Sequence, residues 1–209
     1  SLGNSKLGSE AAGYYKKAAD TYQKILAQCN ADPNFAPTPS ANLSITMRLA
    51  ACYRHMGDPS NALKLLLAIL QSTEKPIVSA QVEAAYTYQA WGEEKPTAYK
   101  LAIMGSEKHR EIWGWGKIAA RVARSPAHAQ IFHEARYNLA YCRFQWALSM
   151  AAAEKKEMLA QAEKDILITE RLYPDMGGPQ WRGKYDELLK KIQKMRGIKV
   201  TGLKPLATE

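Results

Sequence analysis

The residues of this chain that could do chemistry are few and poorly matched to one another. His133-Glu134 opens the helical zinc-protease pattern, but Tyr137 stands where the second histidine would have to bind metal, so the set lacks a ligand. His55, His109, His128 and His133 otherwise show no metal-ligand spacing. Cys29, Cys52 and Cys142 are an odd number, far apart and without a C-x-x-C pair, which suggests neither a disulfide framework nor a thiolate zinc site. Each is expected to be a small core residue. Gly114-x-Gly116-x-x-Ala119 fits a dinucleotide fingerprint in spacing alone, since no strand precedes it. With no phosphate-cradling loop carrying lysine and no G-x-S-x-G elbow, the sequence points to no catalytic, metal or cofactor-binding residue, and a non-catalytic role is expected.

Around the same glycines lies a second kind of chemistry. Lys108, Arg110, Lys117, Arg121 and Arg124 face only Glu107 and Glu111, with Trp113 and Trp115 interleaved. Cations hold phosphates and indoles stack on bases, so Trp113, Trp115, Lys117, Arg121 and Arg124 form a candidate single-stranded nucleic-acid site. The competing reading is a surface loop pinned by two buried tryptophans and flanked by solvated charges. Overall, 29 Lys and Arg exceed 20 Asp and Glu, for a net charge of +9 that favours acidic partners or polyanions. Much of the excess sits at one end: residues 181–209 hold eight basic against three acidic side chains.

These groups must be positioned by helices. Of the 209 residues 46% are apolar and 23% charged, enough for one sizeable core or a short repeat array. Period-3.6 patterns dominate, and no uncharged apolar run approaches the roughly 20 residues needed to cross a bilayer. Ser9 to Gln28 carries Tyr15, Ala18, Ala19, Tyr22, Ile25 and Leu26 on one stripe, before the proline-rich stretch 30–41 with Pro33, Pro37 and Pro39. A helix follows from about Ala41 to Met56. Gly57 ends it, and Asp58-Pro59 supplies an N-cap and a first-turn proline for the next, whose buried face is expected at Leu63, Leu66, Leu67 and Leu70. The following pair is predicted over Ile77–Trp91 and Pro96 to about Arg110, with the turn at Gly92 to Lys95. An inserted segment, 111–127, precedes a long helix from Ala127 to about Met150, its partner over Lys155–Tyr173 and a last amphipathic helix from Trp181.

Two stretches can be laid over one another thirty-five positions apart: Leu49-Ala50, Tyr53, Gly57, Leu66 and Ile69 on Ala84-Ala85, Tyr88, Gly92, Leu101 and Met104. The run from Leu49-Ala50 through Tyr53, Gly57-Asp58, Ala62, Leu66 and Ile69 resembles the tetratricopeptide repeat. The second unit matches more loosely, with Thr97 where the family has alanine. In the third, Leu139-Ala140, Ala162, Ile166 and Pro174 fit while Arg143 replaces an aromatic. The resemblance covers roughly 150 residues and implies an all-α superhelix of stacked antiparallel helix pairs, here three with flanking helices and a capping helix near the C-terminal end. It implies one domain over 1–195, with 196–209 a basic tail.

Proteins similar to this one usually bind a peptide along the concave surface lined by the first helix of each unit. Residues one position off the core stripe there are Met47, Ala51, Arg54 and His55, then Val82, Tyr86 and Gln89, then Tyr137, Tyr141 and Phe144. Arg54, Tyr86, Gln89, Tyr137, Tyr141 and Phe144 are therefore the candidate peptide-binding set, aromatics beside arginine being what interface hot spots favour. Tyr137, Tyr141 and Phe144 make a continuous aromatic stripe, which could equally pack against the inserted segment. The partner expected is a protein or peptide, with nucleic acid as the alternative. The basic and asparagine set by which some family members clamp a terminal carboxylate is absent. Since position one is Ser, the chain reads as a piece of a longer protein, and its lack of a signal peptide fixes no compartment.

Overall fold

The computed structural model describes residues 2–32, 35 and 38–206, those at 2–9 and 39 by backbone alone. The expected linker prolines Pro33 and Pro37 and the tail residues 207–209 lie outside the described residues. Among the described residues, nine α-helices and one 3-10 turn account for the regular structure, with no β-strand and only an isolated bridge between Gly105 and Trp113. No described helix is long and apolar enough to cross a membrane. The chain divides into two compact units, residues 1–91 and 92–209.

In the first unit, α1 (Leu2–Ala31) packs on α2 (Pro39–His55), and α2 on α3 (Pro59–Gln71). Helix α1 is longer than the predicted Ser9–Gln28, and Pro39, expected in the linker, is the first residue of α2, where its missing N–H costs nothing. The apolar stripe of α1 does what its spacing requires: Tyr15, Ala18, Ala19, Tyr22 and Leu26 join Leu49, Cys52, Tyr53, Met56 and Leu65 in one cluster. Between α2 and α3, Gly57 turns the chain and Asp58 Oδ1 accepts the Asn61 N–H at 3.0 Å, the predicted cap. The buried face of α3 is Ala62, Leu66, Ile69 and Leu70, not the four leucines expected. Leu63 and Leu67 are half-buried because the helix turns its small Ala62, rather than Leu63, toward its neighbours, allowing closer approach. On α4 (Val78–Glu94) the buried residues include Ala80, Ala84, Ala85 and Tyr88.

The predicted turn at Gly92 is a correction: α4 continues through Glu94 with Gly92 inside it. That glycine is there for space. A Cβ at Gly92 would lie 2.6 Å from the Tyr99 ring, which stacks directly on the helix backbone.

The second unit opens with α5 (Ala98–Met104), which stops well short of the predicted Arg110. Gly105, at φ +89°, ends it, and Met104, the repeat counterpart of buried Ile69, is 63% exposed. The chain then crosses its own path: a Cβ on Gly114 would fall 2.4 Å from the Gly105 nitrogen and the Ile103 carbonyl. The segment expected to be an irregular insertion contains a true helix, α6 (Trp115–Val122), and the 3-10 turn Pro126–His128. Helices α7 (Ala129–Ala147), α8 (Ala152–Leu172) and α9 (Pro179–Met195) follow, each packed on the next, with α6 and α5 also against α7. Their shared core includes Ala140, Phe144, Leu159, Ala162, Ile166, Tyr185, Leu189 and Ile192. Small Ala140 and Ala162 sit where large side chains would hold the helix axes apart.

Candidate functional site

Each group of candidate residues is placed by the helix that carries it. In the first unit Arg54 of α2 reaches α4: its Nε donates to Glu83 Oε1 at 2.6 Å and Nη2 to Glu83 Oε2 at 3.3 Å, a two-pronged ion pair. The guanidinium also lies 5.5 Å from the centre of the Tyr86 ring, one helical turn along α4. Both members of the ion pair keep 17% of their side-chain surface exposed, so the pair is neither buried nor freely solvated. Gln89 lies half-buried one turn beyond Tyr86. Nearby, Ser79 Oγ of α4 is 3.5 Å from Met47 Sδ of α2, a second contact between the two helices. His55 stacks flat on Tyr15, with centroids 4.2 Å apart, and burial followed by the Arg54 charge holds its pKa below the ordinary imidazole value.

In the second unit, Tyr137, Tyr141 and Phe144 divide. Phe144 is 8% exposed and belongs to the core, while Tyr137 packs edge-on to Tyr185 and tilted against Trp181 of α9. The stripe thus packs on the core that α7 shares with α8 and α9. Tyr141 stacks on Tyr137 at 6.2 Å and is half-buried. Burial, then the Glu93 carboxylate, raise its phenol pKa. Trp181 carries Lys184 Nζ 4.4 Å above its ring, a cation–aromatic pair that spacing along the chain does not single out.

The basic segment has a different anatomy from the one a base-stacking site requires. Trp115 is completely buried at the start of α6, and Trp113 is 8% exposed. Lys117 and Arg121, one turn apart on α6, lie 5.4 and 5.5 Å from the Trp113 ring centre and cover it. Lys117, Arg121 and Arg124 are solvent-exposed, a basic ridge over indoles that are already packed.

Glu83 was invisible as the partner of Arg54 because twenty-nine positions separate them and no local pattern links the two. The three cysteines are buried, and burial raises the Cys142 thiol far above its usual range. Among the described residues, no three His, Cys, Asp or Glu side chains are grouped to hold a metal ion.

Comparison with known proteins identifies no relative: no protein-family model, no curated protein and no solved structure matches the chain.

Proposed function

We propose that this chain is a non-catalytic protein-interaction module of the tetratricopeptide type, which binds a peptide or protein, by preference an acidic one, along the first helices of its pairs. One observation carries this reading. Arg54, Glu83 and Tyr86 bring an arginine, its counter-charge and an aromatic face into one half-exposed group shared by α2 and α4. Aromatic and arginine side chains held rigid at a surface bind at little entropic cost, and Glu83 removes part of the freedom Arg54 would otherwise lose. The packing of α1 on α2 and α2 on α3, and of α7 on α8 and α8 on α9, is compatible with such a module. In the second unit Tyr137 and Phe144 serve the packing of α9, and half-buried Tyr141 is a separate candidate contact of that unit alone.

A photo-crosslinking residue placed at position 86 should yield a protein adduct that the same residue at Lys64, exposed on α3, does not. Adducts at both positions alike, or a partner retained undiminished by a folded Tyr86→Ala variant, would remove the α2–α4 surface from consideration. The second reading, nucleic-acid binding, is favoured by the exposed ridge of Lys117, Arg121 and Arg124, and salt dependence separates the two.

A further inference from the structure

The residues that follow α9 do not leave the molecule. Gln193, only 5% exposed on α9, spends its whole amide on them: Oε1 accepts the N–H groups of Thr201 at 2.9 Å and Gly202 at 3.0 Å, and Nε2 donates to Thr201 Oγ1 at 3.1 Å. Asp186 Oδ1 accepts the Leu203 N–H at 2.8 Å, and Glu170 Oε1 of α8 accepts the Lys204 N–H at 2.7 Å. Arg182 donates to the carbonyls of Lys204 and Pro174. Three acceptor side chains and one donor, all on helices, thus read the main chain of four consecutive residues. The side chain of Leu203 packs against the core of the unit. Gly202 is buried at φ +67°, and a Cβ there would fall 2.3 Å from Asp186 Oδ1, so only glycine fits.

Between helix and docked segment the chain makes a tight turn, with the Gly197 N–H donated to the Lys194 carbonyl at 3.1 Å and the Ile198 N–H to the Gln193 carbonyl at 3.2 Å. Gly197 turns at φ +66°, and Ile198 and Val200 are exposed by 42% and 49%. A recognition surface with a fixed reading frame is therefore joined to its occupant by a short link whose large side chains face solvent.

We propose that the α8–α9 surface formed by Glu170, Arg182, Asp186 and Gln193 is a peptide-recognition site, that residues 201–204 are its resident occupant, and that it accepts in trans a segment carrying glycine followed by a large aliphatic residue. The main-chain bonds supply affinity with little sequence demand, while the glycine conformation and the leucine contact supply selectivity. Tethering places the resident segment at an effective concentration near the millimolar range, so a competing peptide binds only when the resident one is weakened. This site is independent of the α2–α4 surface.

The test uses a fluorescent peptide of sequence Lys-Val-Thr-Gly-Leu-Lys-Pro-Leu, blocked at both ends, and the whole chain. Gly202→Val displaces the resident segment and leaves the four receptor side chains untouched. Anisotropy should show this variant binding the peptide at least tenfold more tightly than the parent chain, and adding Gln193→Ala should abolish the gain. A folded Gly202→Val protein that binds no better than the parent, or a gain that survives Gln193→Ala, overturns the proposal. Hydrogen exchange on the parent chain gives a second readout that needs no variant. The amides of Thr201 to Lys204 should exchange through a local opening insensitive to mild denaturant; exchange only through global unfolding makes the segment a fixed part of the fold and likewise overturns the proposal.

Discussion

His133 shows how much one side chain's environment can decide. Its ring is 8% exposed, set edge-on to Phe132 and Tyr173, and its Nδ1 has no hydrogen-bond partner. A Cβ on Gly177 would come within 2.6 Å of the same ring, so the turn after α8 is packed directly on it. Burial holds the imidazole pKa below 6.5, and the Asp175 charge opposes this only in part. An unfolded chain takes up a proton as pH falls below about 6.5, and the folded chain resists it. The stability contributed by neutral His133 is thus complete above that pH and declines as pH drops toward the folded-state value. Urea midpoints measured at pH 7.5 and 5.5 should therefore fall further for the parent than for His133→Gln. Equal falls would assign the titration to another group, such as His55, whose pKa is lowered in the same direction.

Among the helices, Gly92 separates what sequence reasoning can read from what it cannot. An alanine in place of a mid-helix glycine ordinarily stabilises by about 1 kcal/mol. Here the added methyl meets the Tyr99 ring, itself 4% exposed and unable to swing away, so Gly92→Ala should destabilise by about 1–3 kcal/mol. Introducing Tyr99→Leu first should recover most of that loss in denaturant titrations. Additive effects of the two substitutions would show that the contact is not the cause. From the chain alone Gly92 resembles Gly57 and predicts a second turn. A glycine required for its φ and a glycine required for close approach are indistinguishable without the facing side chain. The same holds for α5. Leu101 and Met104 kept the repeat's apolar pattern, yet Gly105 and Gly114 allow the backbone to cross over the end of that helix and cut it to seven residues. Strong local signals were legible: the amphipathic stripe of α1, the Asp58 cap and the alanines at the helix contacts. Partners far apart in sequence, Arg54 with Glu83 or Gln193 with the backbone at 201–202, were not, because nothing in either local pattern encodes the other.

At the scale of the molecule the dominant property is charge. A surplus of nine positive charges produces attraction to any polyanion at low ionic strength, whatever partner the surface evolved to meet. Whether that attraction is recognition depends on α6. With Trp115 wholly buried and Trp113 covered by Lys117 and Arg121, bases have no free indole to stack on in this segment, and only the phosphates can be engaged. Binding of single-stranded DNA should therefore be independent of base composition and should weaken on a log–log salt plot by roughly 0.7 per phosphate contact. Lys117→Glu with Arg121→Glu should lower that slope, and oligothymidine and oligoadenine should respond alike in fluorescence anisotropy. A strong base preference, or binding that persists at high salt, would require stacking surfaces other than these packed indoles and would place the nucleic-acid site outside α6. The charge reversals expose that choice cleanly, because Lys117 and Arg121 are solvent-exposed and removing them leaves the tryptophans beneath in their packed positions.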